Sequence, residues 1–491
     1  MNIAKYGQEM NVLLTITVTT IVLGFGLSIC YGLILETALL LLAVLTGIVA
    51  FVIVLTKPVW FLYILSLFIP FSQSVPVIKI AGRNLHIGFD TIVIIIISFG
   101  YLTRMMVKKN TIVVLDNSSK WLLVWWLWNL LMLIYTSTHL TGTPRADAII
   151  VFLRWSQYIP VFFIVLNTKV SITQVKKVLW VFTIAALIMS LINIVEYFNI
   201  GIDHTLVRGA GLAIKPLFIE GAHINYNINA AYLATVGLLM APFLILAYNW
   251  SRLSKIAIIM ILLVSIWTTS SRSGLLALIV GLLYLGLFYF RRGLLFSMIT
   301  LMPIGLTCLW FIRDDRFVRN LLKLRYIPQA LPMLMGADVQ AVGLQLNAQG
   351  GVHRLFLWGE TIRFFTKSPL WGHGFRATRW SKGPAAYFTA DNYYLETLAD
   401  TGLIGLALFI IFVGILYKSS IRLYKLASEN VFLRKYSIGY QAVFVGLMFI
   451  NLFSSMFMSQ KIWGIFILLS AIMCNQLQVL RKLKTHSLAK Y

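Results

Sequence analysis

The hydrophobic positions of this chain fall into long runs of about 18–24 residues, separated by short polar segments. A helix of that length crosses about 30 Å of hydrocarbon, whereas a membrane barrel would show segments of about 10 residues with alternating polarity. The pattern predicts an all-α polytopic membrane protein with about 12–14 transmembrane helices. The predicted spans are 11–32, 33–56, 59–71 (short enough to be re-entrant), 88–107, 120–138, 147–167, 176–199, 227–249, 254–270, 273–290, 294–312, 395–417, 437–458 and 460–479.

One long hydrophilic stretch, about Arg313–Asp391, interrupts this series between late helices. It divides the chain into three predicted parts. Residues 1–312 form an N-terminal transmembrane bundle of about 11 spans, and residues 313–394 form a long extracytoplasmic loop. Residues 395–491 provide about three C-terminal spans and a basic cytoplasmic tail.

Composition supports a surface that faces lipid. Only 12% of the residues are charged and 59% are hydrophobic, while water-facing proteins carry about a quarter of charged residues. The formal charge of +25 is distributed unequally between alternate connections. With a cytoplasmic N-terminus, basic residues concentrate inside, which places both termini in the cytoplasm. The short outside connections then hold only Lys79, Arg83, Arg145, Arg208, Lys215, Arg272 and Lys461.

The long loop is itself basic, and long loops are exempt from that orientation rule. Its first part, Arg313–Arg325, alternates cations with apolar residues such as Phe317 and Leu321. Two interpretations stay open. The segment is a helix lying on anionic headgroups, or it presents cations to an anionic substrate at the outer surface.

Three arginines lie in or beside predicted spans. Arg154 falls inside an apolar run, where a charge costs several kcal/mol unless it is paired or lines a wet cavity. Snorkelling to the outer headgroups is the alternative. Arg272 sits between hydroxyl-rich and small residues at an outer helix connection, and Arg208 lies in an outside loop. Since guanidinium groups bind phosphate oxygens in bidentate fashion, together they are suited to a diphosphate.

The end of the long loop carries the strongest local signal. Ser368–Phe375 is a glycine-rich turn after a predicted helix, and Asp391 precedes the next span. A partly buried carboxylate at that place can have a raised pKa and act as a base. Alternatively, Asp391 is an ordinary helix N-cap, for which Asp is favoured.

Several segments together resemble the O-antigen ligase and polymerase superfamily, bacterial membrane enzymes that assemble surface polysaccharides. The similar segments cover about residues 208–405. They are, in order, Arg208-x2-Gly211 with Asn229–Leu233, Thr269–Gly274, His353–Trp358 with Pro369–Gly374, and Asn392-x9-Gly402-x2-Gly405.

One position departs from the ligase pattern. Ligases of this superfamily carry a functional His immediately before the residue that opens the closing motif, and this chain has Asp391 there. Asp in this position is more similar to the polymerase branch. His353 or His373 could supply an imidazole instead, although a lone loop His is more often simply solvated.

The resemblance implies a glycosyltransferase of the GT-C type in the bacterial cytoplasmic membrane, with an extracytoplasmic active site. It implies undecaprenyl-diphosphate-linked glycans as donor and acceptor, membrane lipids as partners, and no nucleic acid; whether a chain-length regulator also binds is left open by the sequence. We expect no metal and no cofactor, because guanidinium groups can stabilise the departing diphosphate. The expected catalytic residues are Asp391 as base with Arg208 and Arg272, and the expected substrate-binding residues are Arg354, Arg154, Asn392 and His373.

The predicted activity is polymerisation of lipid-linked repeat units into a surface polysaccharide. Three alternatives stay open: ligase-type transfer to a different acceptor, a transporter, and a flippase. A transporter would show inverted repeats with paired broken helices, and the arginines here gather on the outer side rather than through the membrane.

Overall fold

The computed structural model of the protein describes residues 59–71, 74–80, 83–107, 114–197, 226–246, 252–269, 271–290, 351–381 and 389–488. The predicted spans 11–32, 33–56 and 294–312 lie outside these residues. So do Arg208 and the basic segment Arg313–Arg325.

The described residues are helical apart from one small hairpin. The first helices are α1 (Trp60–Phe68), α2 (Phe89–Val107), α3 (Asn117–His139), α4 (Gly142–Ser156), α5 (Tyr158–Asn167), α6 (Ile172–Tyr197) and α7 (Tyr226–Leu246). They are followed by α8 (Arg252–Thr268), α9 (Arg272–Leu285), α10 (Gly351–Thr366), α11 (Tyr393–Leu426), α12 (Val431–Ile450) and α13 (Gln460–Leu488). Short 3-10 turns occupy Ile69–Phe71, Ala377–Trp380 and Met456–Met458, and a π-helical turn, Gly286–Phe290, extends α9.

The protein is an integral membrane protein, as the hydrophobic runs predict. Six helices in the described part of the chain are long and apolar enough to cross a membrane, and two shorter apolar helices accompany them. The six are Asn117–His139, Gly142–Asn167, Ile172–Ile194, Asn227–Leu244, Tyr393–Leu426 and Gln460–Thr485. The predicted all-α polytopic fold class is confirmed.

A β-hairpin between α1 and α2 was not predicted. Strands β1 (Ser74–Ile80) and β2 (Arg83–Gly88) pair antiparallel, with an irregular register between Pro76 and Ile78. The sequence of β1 is rich in β-branched residues, which favour extended backbone. Its short length and its proline hide that signal among the longer helical runs.

The core is centred on α13, which packs against α4, α5 and α11. Two buried amides on α13 satisfy carbonyl groups where α5 ends. Asn475 donates to the carbonyl of Thr168 at 2.7 Å, and Gln476 donates to that of Val170 at 2.8 Å. Helix C-termini leave unpaired carbonyl groups, so these side chains let the end of α5 be buried.

Helices α7, α9 and α12 form a second tightly packed group. Gly274 on α9 approaches Ala230 on α7 so closely that a Cβ would overlap the alanine side chain. Gly439 on α12 likewise touches the backbone carbonyl of Leu239. Small residues allow this close approach, which is the usual basis of helix packing in membranes.

Helix α11 is longer than a membrane is thick. Its 34 residues would rise about 51 Å in an unbroken helix, against about 30 Å of hydrocarbon. It is interrupted at Gly402, and residues 403–426 alone rise about 36 Å. Residues 403–426 are therefore long enough to cross a membrane without the first turns of α11, which lie next to the last part of the long loop.

Candidate functional site

Helix α11 begins just after Asp391, a residue with an unusual backbone conformation. The side-chain oxygen of Asn392 accepts hydrogen bonds from the backbone N–H groups of Tyr394 and Leu395, so Asn392 is the N-cap. Asp391 has φ of 49°, in the left-handed region that residues with a side chain seldom adopt. The interpretation of Asp391 as the N-cap is wrong, because this turn places the next residue in the capping position.

The break in α11 is closed by backbone groups of the preceding loop. Gly402 has φ of 71° and ψ of −174°, so the carbonyl groups of Ala399 and Asp400 lose their helical partners. They accept instead from the backbone N–H groups of His373 and Gly374, at 3.0 and 2.8 Å.

The exchange is reciprocal. The N–H of Leu403 donates to the carbonyl of Pro369 at 2.9 Å, and that of Ile404 donates to Leu370 at 3.4 Å. We call residues 369–374 the clamp segment. Its four hydrogen bonds replace the two that an unbroken helix would make at this point. The carbonyl groups of Ala399 and Asp400 and the N–H groups of Leu403 and Ile404 therefore all have partners.

Two glycines make this approach possible. A Cβ on Gly402 would overlap the carbonyl oxygen of Leu370, and one on Gly372 would overlap that of Asp400. Both glycines also have positive φ, which L-residues adopt only with strain. Gly372 in the clamp segment and Gly402 at the break in α11 therefore each lie against the backbone of the other's segment.

The clamp segment is also fastened to α3. The indole N–H of Trp128 donates to the carbonyl of Thr401 at 3.0 Å, and its ring stacks on Trp371 at 5.5 Å. The N–H of Phe375 donates to the carbonyl of Met132 at 3.2 Å. Three segments that are distant in the sequence thus hold the start of α11 in one position.

Asp400 of α11 binds the residues that follow the clamp segment. Its buried carboxylate accepts from the backbone N–H of Arg376 at 3.0 Å, and from the N–H and hydroxyl of Thr378 at 2.8 and 2.5 Å. The Arg376 guanidinium then forms an ion pair with Asp147 of α4, at 3.2 Å, with both side chains about nine-tenths buried or more. A buried charge is tolerated when it is paired in this way.

Asp391 lies in a set of charged and polar neighbours. The Thr389 hydroxyl lies 2.6 Å from a carboxylate oxygen of Glu396 and 3.4 Å from one of Asp391. Burial raises the pKa of Asp391 above its ordinary value; the positive charge of Arg354 opposes that shift, and Glu396 adds to it. Asp391 is therefore a carboxylate that accepts a proton more readily than an exposed Asp.

Arg379 completes the group. Burial, with Arg376 close by, lowers its pKa to about 10, so it stays protonated at neutral pH. We call the set the α11 charge cluster. Its members are Arg354, Arg376, Arg379, Asp147, Asp391, Glu396 and Asp400. A carboxylate able to take a proton beside fixed cations suits a reaction in which a hydroxyl is deprotonated and an anion leaves.

The sequence profile of the O-antigen ligase family matches residues 256–410. We call this matched region, residues 256–410, the O-antigen ligase domain. Six of the seven members of the α11 charge cluster fall within it, and so does the clamp segment; Asp147 is the exception. No curated protein matches the chain. The predicted resemblance to the O-antigen ligase and polymerase superfamily is confirmed for this domain.

A second motif of the O-antigen ligase domain forms the start of α9. The Ser271 hydroxyl caps this helix by accepting from the N–H of Gly274 at 3.2 Å, and donates to Asn227 of α7 at 2.7 Å. Arg272 is the first residue of α9. Its side chain, like that of His353 and the whole of Arg208, lies outside the described residues, so their predicted roles stay predictions.

His373 of the O-antigen ligase domain is engaged within its own loop. Its Nε2 lies 2.6 Å from the carbonyl oxygen of Phe364, and its ring stacks on that phenyl ring at 3.9 Å. Burial lowers the pKa of His373, which favours the neutral imidazole. This geometry supports a role in holding the clamp segment after α10, and its predicted contact with substrate stays untested.

Arg154 belongs to a different group, outside the O-antigen ligase domain. Asp90, at the start of α2, is fully buried and accepts a hydrogen bond of 2.5 Å from Tyr158. Arg154 and Lys461 both interact with Asp90 electrostatically, and Lys461 donates to the carbonyl of Pro70 at 2.8 Å. We call Asp90, Arg154, Tyr158 and Lys461 the Asp90 cluster. Arg154 thus has a carboxylate nearby, as a charge among apolar helices requires.

Sequence reasoning missed five members of the α11 charge cluster: Arg376, Arg379, Asp147, Glu396 and Asp400. Arg376 and Arg379 follow the glycine-rich turn directly, and Asp400 lies inside the closing motif. Their closeness to those motifs was a usable signal. Asp147 carries no comparable signal, since its partner is Arg376, 229 residues further along the chain. In the described part of the chain, no group of three or more His, Cys, Asp and Glu could hold a metal ion.

Proposed function

We propose that this protein polymerises oligosaccharide repeat units, carried on undecaprenyl diphosphate, into a cell-surface polysaccharide. A capsule, a teichuronic-acid-like polymer and an O-antigen are all products of that class. The O-antigen ligase domain supports action on lipid-linked glycans. The observation that carries the proposal is Asp391, a half-buried carboxylate with a raised pKa at the start of α11, close to Arg354.

The proposed reaction is one displacement. A hydroxyl oxygen of the acceptor sugar attacks the anomeric carbon of the donor, and the bond from that carbon to the diphosphate oxygen breaks. Asp391 takes the hydroxyl proton, and undecaprenyl diphosphate leaves with the bonding electrons. Arg208 and Arg272, with Arg354, stabilise the negative charge that develops on the diphosphate. No step of this reaction uses a metal ion.

The remaining site residues have supporting roles in this proposal. Asn392 holds the first turn of α11 through its side-chain oxygen, and His373 holds the clamp segment. Both lie next to the sugar and diphosphate groups that Asp391 would serve. Arg154 stays a predicted substrate-binding residue; its electrostatic partner is Asp90, outside the α11 charge cluster.

The proposed topology puts the reaction on the outer face of the cytoplasmic membrane. Residues 1–312 form the first transmembrane bundle and residues 395–491 the last helices, with both termini in the cytoplasm. Residues 313–394 form the extracytoplasmic loop that brings Arg354 and Asp391 to the site. A chain-length regulator is a proposed partner, and the apolar faces between spans accommodate the lipid tails.

The test uses purified protein in detergent or nanodiscs and a lipid-linked repeat unit as the sole substrate. A ladder of products on a gel supports polymerisation. The same preparation of Arg272→Ala should give no ladder while remaining in the membrane fraction. If wild-type protein gives no product with any acceptor, yet moves the lipid across vesicles, the enzyme proposal fails in favour of transport.

Ligation is the second candidate, because the matched family is described as O-antigen ligase. It predicts no ladder from the repeat unit alone, and a single product when a different glycolipid acceptor is added. The two candidates share the arginines, so this assay separates them by acceptor rather than by residue.

A further inference from the structure

A cavity of about 200 Å³ lies where α6 and α12 begin and α7 ends. Liquid water occupies about 30 Å³ per molecule, so a group of several heavy atoms fits. None of its lining residues belongs to the α11 charge cluster. Its lining residues are Lys176, Leu179, Trp180, Met240, Phe243, Leu244, Phe432 and Lys435.

The charge of this cavity is of one sign. Both titratable residues among its eight lining residues are lysines, Lys176 and Lys435. The first turns of α6 and α12 contain no acidic residue. Lys176 Nζ lies 5.3 Å from the centre of the Phe432 ring, which holds the ammonium group at the cavity through a cation–π contact. The electrostatics therefore favour an anion.

The rest of the lining is apolar and aromatic. Leu179, Met240 and Leu244 are buried, and the rings of Phe243 and Phe432 are 5.2 Å apart. Trp180 is 45% exposed, as is common for Trp at a membrane interface. A small inorganic anion would leave this surface unused, and a neutral lipid would leave the lysines unused. The lining fits a molecule with an anionic head and a hydrocarbon tail.

The position of the cavity indicates where a molecule of this kind would come from. In the topology proposed above, the start of α6, the end of α7 and the start of α12 all lie at the cytoplasmic leaflet. Exposed Lys177, next to Lys176 in the chain, and exposed Lys169, just before α6, add positive charge at this end of α6. Acidic phospholipids concentrate in that leaflet, and basic pockets between helices on that side bind their headgroups.

We propose that this cavity binds the headgroup of an acidic phospholipid, with the phosphate between Lys176 and Lys435 and an acyl chain along Trp180 and Phe243. This site is separate from the glycosyl-transfer site and does not depend on the proposed polymerase activity.

The test titrates dioleoyl phosphatidylglycerol and dioleoyl phosphatidylcholine onto delipidated, detergent-purified full-length protein and counts bound lipids by native mass spectrometry. Wild-type protein should retain one phosphatidylglycerol more strongly than phosphatidylcholine. The variant Lys176→Ala/Lys435→Ala should bind it about 30-fold more weakly, since each lysine near an anionic lipid contributes about five-fold. Equal retention by wild type and variant would overturn the proposal.

Two controls keep the result specific. Lys418→Ala/Lys425→Ala removes the same charge from exposed positions on α11 and should leave the tight phosphatidylglycerol intact. The charge-preserving Lys176→Arg/Lys435→Arg should also retain it, even if the alanine pair folds poorly; loss of binding there contradicts simple headgroup recognition. Free glycerol phosphate should not displace the lipid, and displacement at matched concentration would assign the cavity to a soluble anion instead.

Discussion

The protein places two clusters of charge among its helices, and they are built differently. In the Asp90 cluster one carboxylate serves two cations, Arg154 and Lys461, and also accepts a hydrogen bond from Tyr158. Its contacts join α2, α4, α5 and α13. Every role that can be seen for Asp90 is to hold helices together.

In the α11 charge cluster, some carboxylates hold the loop and helices together and one does not. Asp400 is used by backbone N–H groups, and Asp147 by the guanidinium of Arg376. Asp391 is left with a long hydrogen bond from Thr389 and the field of Arg354. It also has a left-handed backbone. The difference separates a carboxylate committed to the fold from one available for chemistry.

The sharpest test of that distinction is Asp391→Asn. The amide keeps the shape but cannot accept a proton, so transfer should fall about 10²–10⁴-fold, the range for removal of a general base. Lipid-linked donor should still bind, which native mass spectrometry can follow. A fully active Asn variant would reduce Asp391 to a structural residue.

The ion pair within the α11 charge cluster should matter for stability. Arg376→Met leaves the buried Asp147 carboxylate without its guanidinium partner and should destabilise the fold by about 3–5 kcal/mol. The double variant Arg376→Met/Asp147→Leu should recover much of that loss, because an apolar pair leaves no buried charge. Thermal unfolding in detergent measures both. A double variant no better than the single one would mean that the pair does not act as a unit.

The Asp90 cluster should show the opposite balance of effects. Asp90→Asn weakens the attraction to Arg154 and Lys461 while still accepting from Tyr158, so we expect a loss of about 1–3 kcal/mol of stability. Transfer per folded molecule should stay close to that of wild type. If transfer instead falls as far as in Asp391→Asn, the division between the two clusters is wrong.

The smallest effect is on pH dependence. A base works only when ionised, so the raised pKa of Asp391 makes transfer fall on acidification at a higher pH than an ordinary Asp would. Below that pKa the rate should fall about tenfold per pH unit. The raised pKa has the opposite effect on stability. The folded state binds the proton more tightly than the unfolded chain, so protonation of Asp391 stabilises the fold as the pH falls. Rate profiles beside unfolding curves should therefore show acid inactivation without acid unfolding from this group.

The sequence predicts the helices well and their mutual contacts poorly. Long apolar runs identify spans because the membrane fixes their length. The position of Asp391 was predictable because it precedes a span after a glycine-rich turn. The left-handed backbone there was not, and the cap fell on Asn392, since both residues are good caps and tertiary contacts decide between them.

Contacts between distant segments were beyond the sequence. The pairing of Pro369–Gly374 with the break at Gly402 depends on backbone groups, which every residue carries. In the sequence, only the glycines indicate this pairing, and glycines occur in many turns. The ion pair between Arg376 and Asp147 depends on how α4 lies against the loop, which no local pattern of charges encodes.

The clamp segment also bears on how the chain is assembled in the membrane. It precedes α11 in the chain, so ribosomes complete it before the break at Gly402 is made. A buried peptide group without a hydrogen-bond partner is costly, and the break would leave four such groups unpaired if the clamp segment were absent. We therefore expect the docking of the clamp segment and the completion of α11 to be coupled steps of assembly, so that neither forms stably without the other.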